Sequence, residues 1–156
     1  MLEIVIPGAE TFHLEHLVAD YNGTLACDGR LLPESVDAIR RLSGTMNIHV
    51  ITADTFGQAR KALAGLPCEI AILPPGNQSH AKLEYIEKLG SSHCVCIGNG
   101  RNDRRMLAAA ALGIAVVQRE GAAMETLSAA KVVCPDIRAA LELLLNPKRL
   151  IATLRD

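Results

Sequence analysis

Asp20, Thr52, Lys82 and Asp103 are the side chains of this sequence whose types and placement could do chemistry together. Asp20 follows the apolar run Leu17-Val18-Ala19 and precedes Tyr21-Asn22-Gly23-Thr24, a turn-forming stretch, so its carboxylate falls at the carboxyl end of a strand. Thr52 ends the run Ile48-His49-Val50-Ile51, in the polar cluster Thr52-Ala53-Asp54-Thr55. Asp103 closes Gly98-Asn99-Gly100-Arg101-Asn102-Asp103, into which the run His93 to Ile97 empties. Lys82 falls in the first turns of a helix that follows Pro74-Pro75-Gly76-Asn77. In an open parallel sheet such strand ends converge on one crevice, which is where ligands bind. A carboxylate nucleophile, a hydroxyl donor, an ammonium and a second carboxylate are suited to phosphoryl transfer. Thr52 and Lys82 would hold phosphate oxygens, the carboxylates would hold Mg²⁺, and Asp20 would attack phosphorus.

The elements that must position these residues are legible from hydrophobic period. Apolar runs of strand length alternate with longer segments of helical period, which predicts repeated β-α units and a mostly parallel sheet. Leu2 to Ile6 and Leu14 to Ala19 read as strands joined through Pro7-Gly8 in an antiparallel ribbon, the second carrying Asp20. Pro33 opens a helix with Val36, Ile39 and Leu42 at helical spacing, ending near Gly44. Further helices are predicted over Gln58 to Leu63, from about Ser79 through Leu89, and over Met106 to Ala111, Ala122 to Ala129 and Ile137 to Leu145. Further strands are predicted over Glu69 to Leu73, Gly113 to Val117 and Lys131 to Cys134. Gly57, Gly65, Gly90 and Gly113 fall where helices start or end, as turn geometry requires.

Composition narrows the function classes. A chain of 156 residues is read as one domain, residues 1–156, able to bury roughly 70% of the surface of its unfolded form. Residues 1–13 supply the amino-terminal ribbon strand, and residues 146–156 form a tail that packs on the body or makes a subunit contact. A net charge of −1 gives no electrostatic footprint for nucleic acid or an anionic membrane, and 3% aromatic residues leave no stacking platform for single strands. No apolar run approaches the roughly 20 residues that span a bilayer, and Met1-Leu2-Glu3 lacks a basic secretory start, so the expectation is a cytoplasmic protein. Cys27, Cys68, Cys94, Cys96 and Cys134 form no Cys-x-x-Cys and read as buried thiols.

At its chemical residues the sequence resembles the haloacid dehalogenase superfamily, most closely the phosphorylation domain of P-type ATPases and their small soluble relatives. Asp20-Tyr21-Asn22-Gly23-Thr24-Leu25 is similar to the family's Asp-x-Asp-Gly-Thr or Asp-Lys-Thr-Gly-Thr, and Thr52-Ala53-Asp54 to the pumps' Thr-Gly-Asp. Lys82 matches the third motif, and Gly98-Asn99-Gly100-Arg101-Asn102-Asp103 resembles Gly-Asp-Gly-x-Asn-Asp. The resemblance implies a three-layer Rossmann-like α/β fold with a mostly parallel central sheet. It assigns catalytic roles to Asp20, Asn22, Thr52 and Lys82, and substrate contacts to Gly23, Ala53 and Asn102. It implies Mg²⁺ held by Asp20, the main-chain carbonyl of Asn22 and position Asn99, with Asp103 in or just behind that shell. A phosphorylated small molecule or ATP is the implied partner. The spacing leaves no room for a cap domain, and capless members close the site with a second subunit or act on exposed substrates, so a homo-oligomer is a further expectation.

Two departures from the motifs bear on rate. Phosphatases of the family carry an Asp two residues past the nucleophile as general acid and base, a role usually worth about 10²–10⁴-fold, and Asn22 cannot exchange a proton. Asn99 offers an amide oxygen without charge, which predicts weaker Mg²⁺ binding. The leading expectation is thus slow phosphatase or soluble ATPase-like activity through an aspartyl-phosphate on Asp20. The alternative is a phospho-switch or a phosphate- and Mg²⁺-binding module, including an oligomeric pseudo-enzyme. Asn22-Gly23 and Asn99-Gly100 are also pairs prone to deamidation. Arg101, Arg104 and Arg105 read as solvated helix charges or anion contacts, Asp54 as a helix cap or a partner of Thr52, and His80 as a substrate contact.

Overall fold

The computed structural model describes residues 1–54 and 57–156. Thr55, the last member of the polar cluster after Ile51, lies outside the described residues. In chain order the strands are β1 (Leu2–Val5), β2 (Thr11–Leu14), β3 (His16–Asp20), β4 (Ala26–Cys27), β5 (Arg30–Leu31), β6 (Asn47–Thr52), β7 (Glu69–Ile72), β8 (Cys94–Gly98), β9 (Leu112–Val116) and β10 (Val132–Cys134). The helices are α1 (Pro33–Leu42), α2 (Gln58–Ala62), α3 (Gln78–Leu89), α4 (Arg104–Ala109), α5 (Met124–Ala129), α6 (Ile137–Leu145) and α7 (Pro147–Leu154). Six of the strands form one parallel sheet in the order β10-β9-β8-β3-β6-β7.

Parallel strands buried on both faces carry near-continuous apolar runs, and β3, β6, β8 and β9 do so here. Alternation along them divides the interior. Leu17, Ala19, Ile48, Val50, Val95 and Ile97 face one layer, closed by Ile39 and Leu42 of α1 and by Leu141 and Leu144 of α6. Val18, Ile51, Cys94 and Cys96 face the other, closed by Ile86 of α3 and by Met106 and Leu107 of α4. Asp20 shares the parity of Val18, so the pleat turns its carboxylate toward α3 and α4.

The amino-terminal ribbon differs from its predicted pairing. β1 pairs with β2 in the register Leu2↔Leu14 to Val5↔Thr11, and the Asp20 strand is a separate, central member of the parallel sheet. No turn separates the two: after Leu14 the chain passes through Glu15, whose N–H donates to His93 O and whose carbonyl accepts from Asn47 N, both at 2.9 Å. A stretch that reads as one strand can thus serve two sheets. Gly113 also departs from expectation. It lies inside β9, and a Cβ there would overlap the Leu107 carbonyl group, so the position is set by close approach of α4 rather than by a helix end. The tail forms α7, with Pro147 in its first turn and Leu150 buried in the same core as Ile4 of β1.

Candidate active site

β3, β6 and β8 are adjacent central strands running the same way, and they deliver Asp20, Thr52 and Gly98 to one edge. α3 begins with Asn77, whose side chain accepts from His80 N at 3.2 Å, and its second turn carries Lys82 over the Val18 face of the sheet. The Lys82 ammonium lies 2.6 Å from Asp20 Oδ1 and 2.6 Å from Asp103 Oδ1. Lys82 is 1% exposed and Asp103 fully buried, while Asp20 keeps a small opening.

Two carboxylates thus share one ammonium in a site with little water. Burial, then the nearby Asp103 charge, pushes the Asp20 carboxyl up to about 7 against the opposing pull of Lys82. Burial alone would lower the Lys82 pKa, but Asp20 and Asp103 together outweigh it and raise it above the ordinary lysine value. The ammonium therefore stays charged, and the site carries excess negative charge once Asp20 ionises.

Both Asp103 oxygens are engaged. Its Oδ2 accepts from the N–H groups of Asn99 at 3.0 Å and Gly100 at 2.8 Å, while Oδ1 takes Lys82. It stands behind the pocket, fixing the ammonium and the loop after β8, and is not part of the pocket lining. A pocket of about 260 Å³ opens above Asp20 and brings together the predicted Asn22, Thr52, Ala53, Lys82, Asn99 and Asn102. Gly23 is not in that lining. It borders a neighbouring cavity of about 310 Å³ that reaches Cys27, Arg119 and Asp136.

Gly23 has a structural duty instead. Its φ of +75° is left-handed, and a Cβ would overlap the Asn99 amide. That amide is clamped at both ends: Oδ1 accepts from the Thr24 hydroxyl at 3.2 Å, and Nδ2 donates to Gly121 O at 3.0 Å. Because Gly121 O can only accept, the group there must be the amide's NH₂. Thr52 Oγ1 accepts from Asp54 N at 3.2 Å, which leaves the hydroxyl proton to donate elsewhere. Asp54, at φ +32°, in turn accepts from Ala59 N at 2.8 Å and Arg60 N at 3.2 Å, so it caps α2.

Sequence reading missed Gln78 and Gly100, which also line the pocket, and Gln118, which holds it together. Gln118 Nε2 donates to Gly23 O at 2.8 Å and Thr24 O at 2.7 Å, and its Oε1 accepts from Ile137 N at 3.0 Å. It follows the carboxyl end of β9, so the strand-end rule that singled out Asp20 could have found it. The arginines in and after the Gly98 to Asp103 loop are not in the pocket lining: Arg101 pairs with Glu125 at 3.2 Å, and Arg104 donates to Arg101 O. His80 pairs with Glu84 at 3.3 Å along the exposed side of α3 and does not line the pocket.

Oxygen donors suited to a hard divalent cation are present: the Asp20 carboxylate, the Asn99 amide oxygen and main-chain carbonyls of the Asn22 turn. Among the described residues no group of three or more His, Cys, Asp or Glu converges as a metal site, so a cation here would depend on neutral oxygens as well. The five cysteines are free thiols, and burial pushes Cys94 up to about 11. No helix among the described residues is long and apolar enough to cross a membrane.

The fold is shared with solved structures of haloacid dehalogenase superfamily hydrolases. Solved structures of that superfamily superpose over nearly the whole chain. The 3-deoxy-D-manno-octulosonate 8-phosphate phosphatase of Moraxella catarrhalis, crystallised with magnesium, phosphate and KDO, matches with a TM-score of 0.71 at 19% identity, covering 92% of this chain and 94% of that one. The cobalt-bound deoxy-D-mannose-octulosonate 8-phosphate phosphatase of Haemophilus influenzae matches at 0.72 with 15% identity, covering 92% and 94%. No family model matches the chain. By sequence it is 44% identical over 85 residues to the uncharacterized protein MJ0073 of Methanocaldococcus jannaschii, spanning 52% of this chain and 91% of that protein, and it belongs to the same family. The copper-transporting ATPase ccc2 of Schizosaccharomyces pombe is 31% identical over 109 residues, 67% of this chain but only 12% of the transporter.

Proposed function

We propose that this protein transfers phosphoryl groups through an aspartyl-phosphate on Asp20, with slow release to water. The observation that carries the reading is the Lys82 ammonium 2.6 Å from Asp20 Oδ1, at the floor of a pocket that also presents Thr52. Lys82 holds one carboxylate oxygen, which leaves the other to attack phosphorus. As the new oxygen–phosphorus bond forms, the bond from phosphorus to the leaving oxygen breaks. The Thr52 hydroxyl and the Lys82 ammonium are placed to hold the transferred oxygens, stabilising charge that grows in the transition state. Water then attacks phosphorus, releasing inorganic phosphate and restoring Asp20. The solved neighbours include phosphatases bound to magnesium and phosphate or to cobalt, which supports a Mg²⁺-dependent phosphohydrolase.

Asp20, Asn99 and the Asn22 carbonyl would hold Mg²⁺, and Asp103 would act from behind. Bound there, Mg²⁺ supplies positive charge that offsets the carboxylates and draws a phosphate in. Asn22 sets the rate. It lines the pocket but cannot protonate an alkoxide, so donors whose leaving group departs unaided, such as acyl phosphates or nitrophenyl phosphate, are favoured over sugar phosphates. Incubation with Mg²⁺ and acetyl phosphate, ATP or nitrophenyl phosphate, with product and intact protein mass followed together, tests this. An acid-stable, base-labile adduct on Asp20 with slow product release is the expected result. Absence of both adduct and product with every donor would overturn it, and a long-lived adduct with no product would make the protein a phospho-switch.

A further inference from the structure

Asn22-Gly23 and Asn99-Gly100 are alike as sequence, and the fold makes them chemically unlike. Deamidation begins when the backbone nitrogen of the following residue attacks the Asn side-chain carbon, expelling ammonia and closing a succinimide. Water then opens the ring, so the sum is amide plus water giving carboxyl plus ammonia. At Asn99 both partners in that attack are committed. The amide is 8% exposed with its oxygen on Thr24 and its nitrogen on Gly121, and the Gly100 N–H donates to Asp103 Oδ2 at 2.8 Å.

Asn22 is exposed, and among the described residues its side chain makes no hydrogen bond to another group. The following Gly23 has no side chain to obstruct ring closure. From this contrast we infer that Asn22, and not Asn99, is a site of spontaneous deamidation whose product adds a working acid to the pocket. The one backbone bridge between Asn22 and Ala26 restrains the turn, so conversion is slower than in a free peptide. Ring opening also yields isoaspartate, which lengthens the main chain inside a turn whose Thr24 and Ala26 N–H groups both bond to Tyr21 O, so the acid in question is the fraction opened to ordinary aspartate.

The consequence rests on the phosphoryl-transfer reading above. The ionisable groups lining the pocket are Asp20 and Lys82, and they are bonded to one another. Among the described residues the lining thus offers no uncommitted acid, and a carboxyl at position 22 supplies one. Deamidation would turn a protein that holds its phosphoryl group into one that releases it.

The test is to incubate the wild-type protein at mildly alkaline pH, peptide-map it at intervals, and assay nitrophenyl phosphate hydrolysis on the same samples. Acid appears at Asn22 while Asn99 stays an amide, and turnover rises in proportion to the ordinary aspartate that the map resolves from isoaspartate, by about 10²-fold or more for the fully aspartate form. Asn22→Asp shows the raised rate from the outset, and Asn22→Gln, whose ring would have six members, does not convert. Conversion at Asn99 first, or none at Asn22, overturns the inference. Conversion at Asn22 with no hydrolysis by aged protein or by Asn22→Asp upholds the modification site and overturns the phosphoryl-transfer reading instead.

Discussion

Asp20 and Asp103 share a single ammonium, each placing Oδ1 at 2.6 Å from Lys82 Nζ. Removing one partner of a buried ion pair leaves uncompensated charge, which costs about 3–5 kcal/mol. Lys82→Met strands two carboxylates at once, and it is expected to lose stability in that range above neutral pH, read by denaturant titration. In mild acid the Asp20 carboxyl takes up a proton, so the deficit shrinks. A deficit that stayed constant across pH would mean that Lys82 contributes packing rather than charge.

The same charge imbalance gives Asp20→Asn an unusual sign. The Asp20 carboxyl titrates at about 7 in the fold against an ordinary 3.8, so the folded protein binds more protons than the unfolded chain between those values. Stability from this group is full below the ordinary value and is lost as pH rises through about 7. Asp20→Asn removes the excess charge and leaves Lys82 paired with Asp103. Without metal, the variant is expected to be more stable than wild type above neutrality and to approach it in acid, while forming no phosphoryl adduct. Thermal melts at several pH values in chelator check it, and a variant less stable at every pH contradicts it.

Much of this was written in the chain, because strand-end residues are local in sequence. Asp20, Thr52 and the loop from Gly98 each follow an apolar run, and the parallel sheet then has only one edge at which to gather them. Lys82 was legible as the cation of an early helical turn. What stayed hidden depends on tertiary partners. The stretch from Leu14 to Ala19 reads as one strand, and only the polar pair Glu15-His16 marks the change of sheets, which is made by hydrogen bonds to His93 and Asn47. The identity of Asn99 looked like a missing charge, whereas the structure shows an NH₂ facing the Gly121 carbonyl. Gln118 carried no motif, yet it ties the Asp20 turn to the start of α6.

Asn99→Asp puts those two demands in opposition. A carboxylate would strengthen attraction for Mg²⁺, since unit charges about 4 Å apart interact by about 4 kcal/mol at an effective dielectric of 20, before the desolvation that offsets part of it. It would also face Gly121 O with oxygen in place of a donor, costing about 1–3 kcal/mol for the unpaired buried group. The variant is expected to bind Mg²⁺ more tightly by calorimetric titration yet unfold more easily in chelator. Unchanged Mg²⁺ affinity would remove Asn99 from the cation's surroundings.

His49 supplies a second pH dependence, below the pocket and of opposite slope. Its ring is 2% exposed, with Nε2 3.0 Å from His16 Nδ1 and Nδ1 3.0 Å from the Tyr85 hydroxyl. Burial holds it below its ordinary 6.5, Glu69 at 3.6 Å opposes that shift, and His16 adds to it. The folded protein therefore binds fewer protons here than the unfolded chain. This contribution is present above 6.5 and is lost as pH falls through the lowered value. His49→Gln sacrifices this chain of hydrogen bonds, at about 1–2 kcal/mol above neutrality, but carries no proton to repel His16 in acid. The gap between wild type and His49→Gln is expected to narrow steadily below pH 6.5, measured by denaturant midpoints in the Asp20→Asn background so that the two slopes do not cancel. A gap independent of pH would show that folding does not shift the His49 pKa.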